Sequence, residues 1–220
     1  MSYLAEEAGN SNGAPFQALF DRIPILTCQH SHDIEKRVSY MKKEGVICQV
    51  LIPLPWLEAC PSVWGDPIKA AQACRIANTC MAQFCQKATN KEEGIFFVGV
   101  ALIPTVNENV MMQEYTYAID NLKLAGSVLF FGPQTTPPDS DIFNDFYAKC
   151  AKNNTPIWLH PCRPQSYYDY EKYKEKGSMY AIWNSLGWVY DTRYRFFLFS
   201  FDTLKGQYNF TNNFLLIHKI

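Results

Sequence analysis

Four histidines, at positions 30, 32, 160 and 218, are the side chains here best suited to moving a proton near neutrality or to gripping a cation. His160 ends the apolar run Pro156-Ile-Trp-Leu-His160 and precedes Pro161, which cannot continue a hydrogen-bonded ladder. A metal ligand or general base needs such a place, fixed by a rigid strand yet facing a pocket. The same place also suits an imidazole held by backbone groups at a rim, and spacing alone does not choose. His218 follows the run Phe214-Leu-Leu-Ile217; its chemistry would be proton transfer, and its plainer reading is a frayed terminal residue. His30-Ser31-His32 has the H-x-H form that sets two imidazoles on one side of an extended segment and can chelate Zn²⁺; the plainer reading is an exposed loop before a helix. Arg163, three residues past His160, suits a bidentate grip on a carboxylate or a solvated loop charge. No Ser-His-Asp or Cys-His signature appears in a recognisable context, and no carboxylate pair stands out.

Positioning these residues falls to an alternation of short apolar runs and helical patterns. The runs are 46–52, 95–103, 127–131, 156–160 and 214–217, nearly continuous in apolar residues, which predicts fully buried parallel strands. Between them, Asp33 is placed to cap a helix reaching about Glu44, with Ile34, Val38 and Met41 on one face and Gly45 as its stop. Pro67 opens a longer helix through residue 88, with Ala70, Cys74, Ala77, Met81 and Phe84/Cys85 inward. Val110, Glu114, Ala118 and Leu122 mark a third, stopped at Gly126; Asp141 is placed to cap a fourth, burying Phe143, Phe146, Tyr147 and Cys150. The order predicts an α/β protein with a parallel sheet and crossover helices. A doubly wound sheet would advertise a Gly-rich first turn, which is absent; a (β/α)8 TIM-type barrel puts functional side chains at the carboxyl ends of strands, where His160 and His218 fall. Residues 163–176, polar and Tyr-rich, read as a long loop of the kind that is usually functional.

The 220 residues are 48% apolar and 19% charged with a net charge of −1, which suits one globular domain over 1–220 with an irregular segment at 1–32. The neutral balance, without any Lys/Arg block, argues against nucleic acid or a membrane surface as partner. Apolar runs fall far short of the roughly 20 residues of a spanning helix, and the acidic start lacks a signal-peptide profile, so a cytoplasmic protein is expected. Eight cysteines without a C-x-x-C pair then read as reduced, buried thiols, Cys48 among them.

Several segments in order resemble the amidohydrolase-related, metal-dependent decarboxylases, the group of aminocarboxymuconate-semialdehyde, γ-resorcylate and 5-carboxyvanillate decarboxylases. They are 33–52 with Gly45-Val46 and Gln49-Val-Leu-Ile52, Ala73-Cys-Arg-Ile-Ala-Asn78, Phe97-Val-Gly-Val-Ala-Leu-Ile-Pro104, Trp158-Leu-His-Pro161, and Tyr180-Ala-Ile-Trp183 with Gly187-Trp-Val-Tyr-Asp-Thr192. The likeness is strongest over 33–192. It implies a metal-dependent hydrolase-type (β/α)8 barrel that binds one divalent metal, Zn or Mn, and removes CO2 from an aromatic or conjugated carboxylic acid. It further implies that His160 is a metal ligand and His218 the catalytic histidine; beside that implication, Arg163 is the candidate for binding the substrate carboxylate. About five of the eight strands are readable. His30-Ser-His32 does not occupy the family's H-x-H position, and the family's later Asp ligand has no counterpart, so an incomplete barrel and an incomplete metal site are expected. Two alternatives stay open: a metal-dependent hydrolase of a lactone, ester or amide, and a non-catalytic barrel fragment. Raw strand edges invite pairing with another chain, and a homodimer is the simplest such assembly.

Overall fold

The computed structural model describes residues 33–53, 63, 65–131, 136, 138–161 and 214–216. His30, His32, Arg163, His218, the segment 1–32, the loop at 163–176 and the Tyr180–Thr192 segments lie outside the described residues.

Helix α1 (Ile34–Lys43) starts where the sequence places it, with Asp33 Oδ1 accepting the Lys36 N–H at 3.1 Å. It ends in a left-handed turn at Gly45, φ +69°, where the N–H of Val46 reaches back to Met41 O at 2.8 Å and that of Gly45 to Lys42 O at 3.3 Å. That paired closure is a Schellman motif, and it turns the chain into strand β1 (Cys48–Leu51). Helix α2 (Pro67–Ala88) carries Pro at its first position and Asp66 as cap, the carboxylate accepting from Ile68 and Lys69 N–H. The run at 95–103 divides into β2 (Phe96–Gly99) and β3 (Ala101–Leu102). Helix α3 (Glu108–Thr116) passes into a π-helical turn, Tyr117–Asn121, before β4 (Ser127–Phe131). A 3-10 turn (Asp141–Phe143) leads into α4 (Asn144–Asn153), then β5 (Ile157–Pro161) and β6 (Phe214–Leu216).

Every pairing among the described strands is parallel. β1 lies beside β2, and β3, β4, β5 and β6 follow in chain order. Only Val100 separates β2 from β3: its N–H donates to Leu51 O on one side, while Ala101 N–H donates to Gly126 O on the other, so one run of chain serves two neighbours. Spatial order that follows chain order, with no reversal, is the arrangement of a barrel rather than of a doubly wound sheet. The described strands form an arc of such a barrel.

Register partners in a parallel pair share a face. Leu129 and Leu159 are partners, and with Ala101, Ile103 and Ile157 they join a core built with Met111 and Tyr115 of α3 and Phe143, Phe146 and Cys150 at α4. Val128 and Trp158, also partners, lie on the opposite face with Val100, Leu102 and Phe130, and the Ala70, Ala73 and Cys74 stripe of α2 closes against them. A smaller core joins Met41 of α1 to Cys85, Ala88, Ile95 and Phe97.

Three expectations need correction. β1 is not fully buried: Cys48 and Val50 are exposed, Val50 at 49%, because no layer of described residues packs on that face of the strand. Cys48 and Cys80 are exposed thiols, in contrast to buried Cys74, Cys85 and Cys150. Asp141 does not cap α4 through a backbone N–H. It opens the 3-10 turn and accepts from the Asn144 side chain at 3.2 Å.

Candidate active site at the carboxyl end of the sheet

The start of β5 is anchored by side chains that the helical pattern alone does not reveal. Thr155 Oγ1 lies 2.7 Å from Tyr115 Oη, Asn153 Nδ2 donates to the same Tyr115 oxygen at 3.2 Å, and Asn154 takes a left-handed φ of 52° to end α4. Four residues beyond Ile157's predecessor, the strand delivers His160, paired in register with Phe130 of β4. These two lie on the face of Val128 and Trp158, away from the layer of α3 and α4. His160 is 8% exposed, and its ring centroid stands 4.7 Å from that of Phe130 with the planes 47° apart. So the imidazole sits near the carboxyl end of a strand, on the face where the α2 stripe packs and away from α3 and α4. Thr105, three residues past β3, is fully buried, and its hydroxyl has no hydrogen-bond partner among the described residues.

A second polar group, which sequence reasoning did not assemble, braces the neighbouring strand. Asn78 of α2 is 1% exposed and treats Leu102 as a strand neighbour would: Leu102 N–H donates to Asn78 Oδ1 at 2.7 Å, and Asn78 Nδ2 donates to Leu102 O at 2.9 Å. On that side the ladder groups of Leu102 are met by a side-chain amide in place of a strand. Asn78 Nδ2 also donates to Glu114 Oε1 at 2.9 Å, and Arg75 Nε donates to Glu114 Oε2 at 2.8 Å. Glu114 is 2% exposed, and its charge is balanced by Arg75, whose guanidinium lies 3.5 Å from the Tyr117 ring centroid. The sequence did carry a signal, namely a carboxylate on the stripe of Val110, Ala118 and Leu122 and an amide beside the Ala/Cys stripe of α2.

The buried cysteines are poor nucleophiles. Burial pushes the Cys74 thiol well up, with the Glu114 carboxylate adding to the effect, and burial raises Cys85 and takes Cys150 to about 12. For a divalent cation, the donor type of His160 fits, since imidazole suits zinc and other first-row metals. By number the described residues fall short. Among them no group of three or more His, Cys, Asp or Glu converges, whereas a catalytic site normally takes about three protein ligands. His30, His32, Arg163 and His218 lie outside the described residues. Among the described residues no helix is long and apolar enough to cross a membrane.

No protein-family profile matches the chain, and no curated protein sequence matches it. Solved structures do. The 5-carboxyvanillate decarboxylase of Sphingomonas paucimobilis aligns with a TM-score of 0.64 at 19% identity, covering 89% of this chain and 53% of that one. The chain has an amidohydrolase-type barrel fold. The 5-carboxyvanillate decarboxylase of Novosphingobium aromaticivorans, solved with manganese and 3-methoxy-4-hydroxy-5-nitrobenzoic acid, shares that fold at a TM-score of 0.63 and 19% identity, over 88% of this chain and 51% of its own. An amidohydrolase II structure gives 0.63 at 14% identity, over 84% and 55%. The chain spans about half the length of these structures.

Proposed function

We propose that this chain belongs to a metal-dependent carboxy-lyase that releases CO2 from an aromatic or conjugated carboxylic acid in the cytoplasm. The observation that carries the reading is His160, buried near the carboxyl end of β5, in a fold shared with decarboxylases solved with manganese. In that reading His160 would hold one divalent ion, Zn or Mn, through a ring nitrogen. When bound, the ion supplies a Lewis acid for the substrate's oxygens and for the charge that develops as the C–C bond breaks. Arg163 would pair with the departing carboxylate, which leaves as CO2 while its bonding electrons stay on the ring carbon. His218 would deliver the proton that replaces it. The apolar face of Phe130 and Trp158 would keep water from that carbon. A homodimer is the proposed assembly.

The test is CO2 release from hydroxybenzoate-type acids by the purified chain with Mn²⁺ or Zn²⁺ supplied, beside His160→Ala. Turnover that vanishes in the variant supports the reading. Lactone or ester turnover without CO2 would replace it with hydrolysis, and a folded chain that binds neither metal would refute it.

A further inference from the structure

A parallel sheet ordinarily buries both faces, and an unpaired strand at its edge is a template for another strand. Strand β1 is such an edge: among the described residues it pairs with β2 alone. Phe96 N–H donates to Ile47 O and Val100 N–H to Leu51 O, so residues 47, 49 and 51 turn their backbone groups towards β2. By alternation Cys48 and Val50 turn theirs to the open side. The same two residues have exposed side chains, and their register partners on that face are Phe96, 40% exposed, and half-buried Val98. Nothing on the strand blunts this edge, since Cys48-Gln-Val-Leu51 holds no Lys, no Pro and no charge.

We propose that the β1 edge pairs with the β1 edge of a second copy of this chain, antiparallel across a two-fold axis at Gln49. The occupant follows from connection and charge. Adding a parallel strand needs a long crossover, whereas an antiparallel copy needs none, and an uncharged apolar face meets its own copy without repulsion. The register follows from which groups are available. An axis at Cys48 would call on Val46, whose N–H is already held by Met41 O, and an axis at Val50 would call on Ile52, past the end of the strand. With the axis at Gln49, Cys48 and Val50 of one copy exchange both backbone hydrogen bonds with Val50 and Cys48 of the other. The exposed face then carries two apolar rows across the junction, each running Phe96, Cys48, Val50, Val98. This pairing goes beyond the catalytic reading and rests on the homodimer proposed with it, for which it names the surface.

A pairing this small makes a weak dimer, so sedimentation velocity of the full chain is followed from about 1 to 200 µM. The parent should pass from monomer to dimer over that range. Val50→Lys should raise the dissociation constant about 100-fold, a tenfold loss per site counted twice by the two-fold axis, with circular dichroism and Tm unchanged because the side chain is exposed. A second measurement does not depend on that variant folding. In the proposed register residue 50 faces Cys48 of the other copy at a Cα separation of about 5.5 Å, within the span of a disulfide. Val50→Cys should therefore give a reducible dimer on mild oxidation, linked between positions 48 and 50, and adding Cys48→Ser should abolish it. A dimer that persists in Val50→Lys, or the absence of that link, overturns the β1 pairing and leaves a homodimer through another surface. A parent that stays monomeric overturns the pairing and the homodimer together. If the Cys48 and Val50 amides of that monomer resist deuterium exchange, the edge is covered by the chain itself. CO2 release is a separate readout and stands or falls independently of these results.

Discussion

Replacing Asn78 with alanine removes three hydrogen bonds from a place water does not reach. Leu102 N–H, Leu102 O and Glu114 Oε1 all lose a partner, the last keeping only its carboxylate's second oxygen on Arg75. Each buried polar group left unpaired costs about 1–3 kcal/mol, with carbonyl oxygens toward the low end. Allowing for local relaxation, the sum is about 3–5 kcal/mol, a large part of the 5–15 kcal/mol typical of a domain. With a urea m-value of about 2 kcal/mol/M, the midpoint should fall by about 2 M. Circular dichroism at 222 nm during urea titration measures it. Asn78→Asp is the informative companion. It keeps the acceptor for Leu102 N–H, loses both donors and sets a second carboxylate against Glu114. It should therefore be less stable than Asn78→Ala at neutral pH and recover as the pH falls, because protonation restores a donor. An Asn78→Ala protein within about 1 kcal/mol of the parent would show that Leu102 finds other partners and that the amide is no substitute strand.

Two glycines test the packing. A Cβ on Gly126 would lie 2.3 Å from Trp158 Cζ3 and 2.6 Å from the backbone oxygen of Pro156, whereas one on Gly99 would meet Met81 Cγ at 2.7 Å, on a flexible side chain. Gly126→Ala should cost more than Gly99→Ala, within the roughly 1–3 kcal/mol of overpacking or above it, and equal urea midpoints would contradict this. Alkaline pH should unfold the protein in a defined window. Burial raises Cys150 from 9.0 and Tyr115 from 10.0 to about 12. The native state keeps protons that the unfolded chain gives up, so stability intact below pH 9 declines between about 9 and 12. Cys150→Ala should flatten that pH slope, whatever its effect on absolute stability.

How much of this was legible depended on whether the cause was local. Asp33, Gly45 and Pro67 mark their helix ends because caps and stops act within one turn. The alternation of runs and helices was enough to prefer a barrel, and the strand order agrees. The division at Val100 was not legible, since an unbroken apolar run says nothing about one strand changing neighbours midway. Nor was the exposure of Cys48 and Val50: a run without alternation shows that two faces are apolar, not that both are covered. His160 could be placed at a strand end from its run, but the face it shares with Phe130 follows only from the strand register, which no single segment encodes. Asn78 was visible as an amide near an apolar stripe, while its partner Leu102 lies 24 residues away.

Leu102 also turns out to be a gauge built into the chain. Its amide proton is held by a helix side chain rather than by a neighbouring strand. In deuterium exchange its lifetime would clock how often α2 lifts from the arc, while the amide of Ala101, bonded across to Gly126, would clock the parting of strands. Two adjacent residues thereby separate two kinds of opening that elsewhere in a parallel sheet are read together.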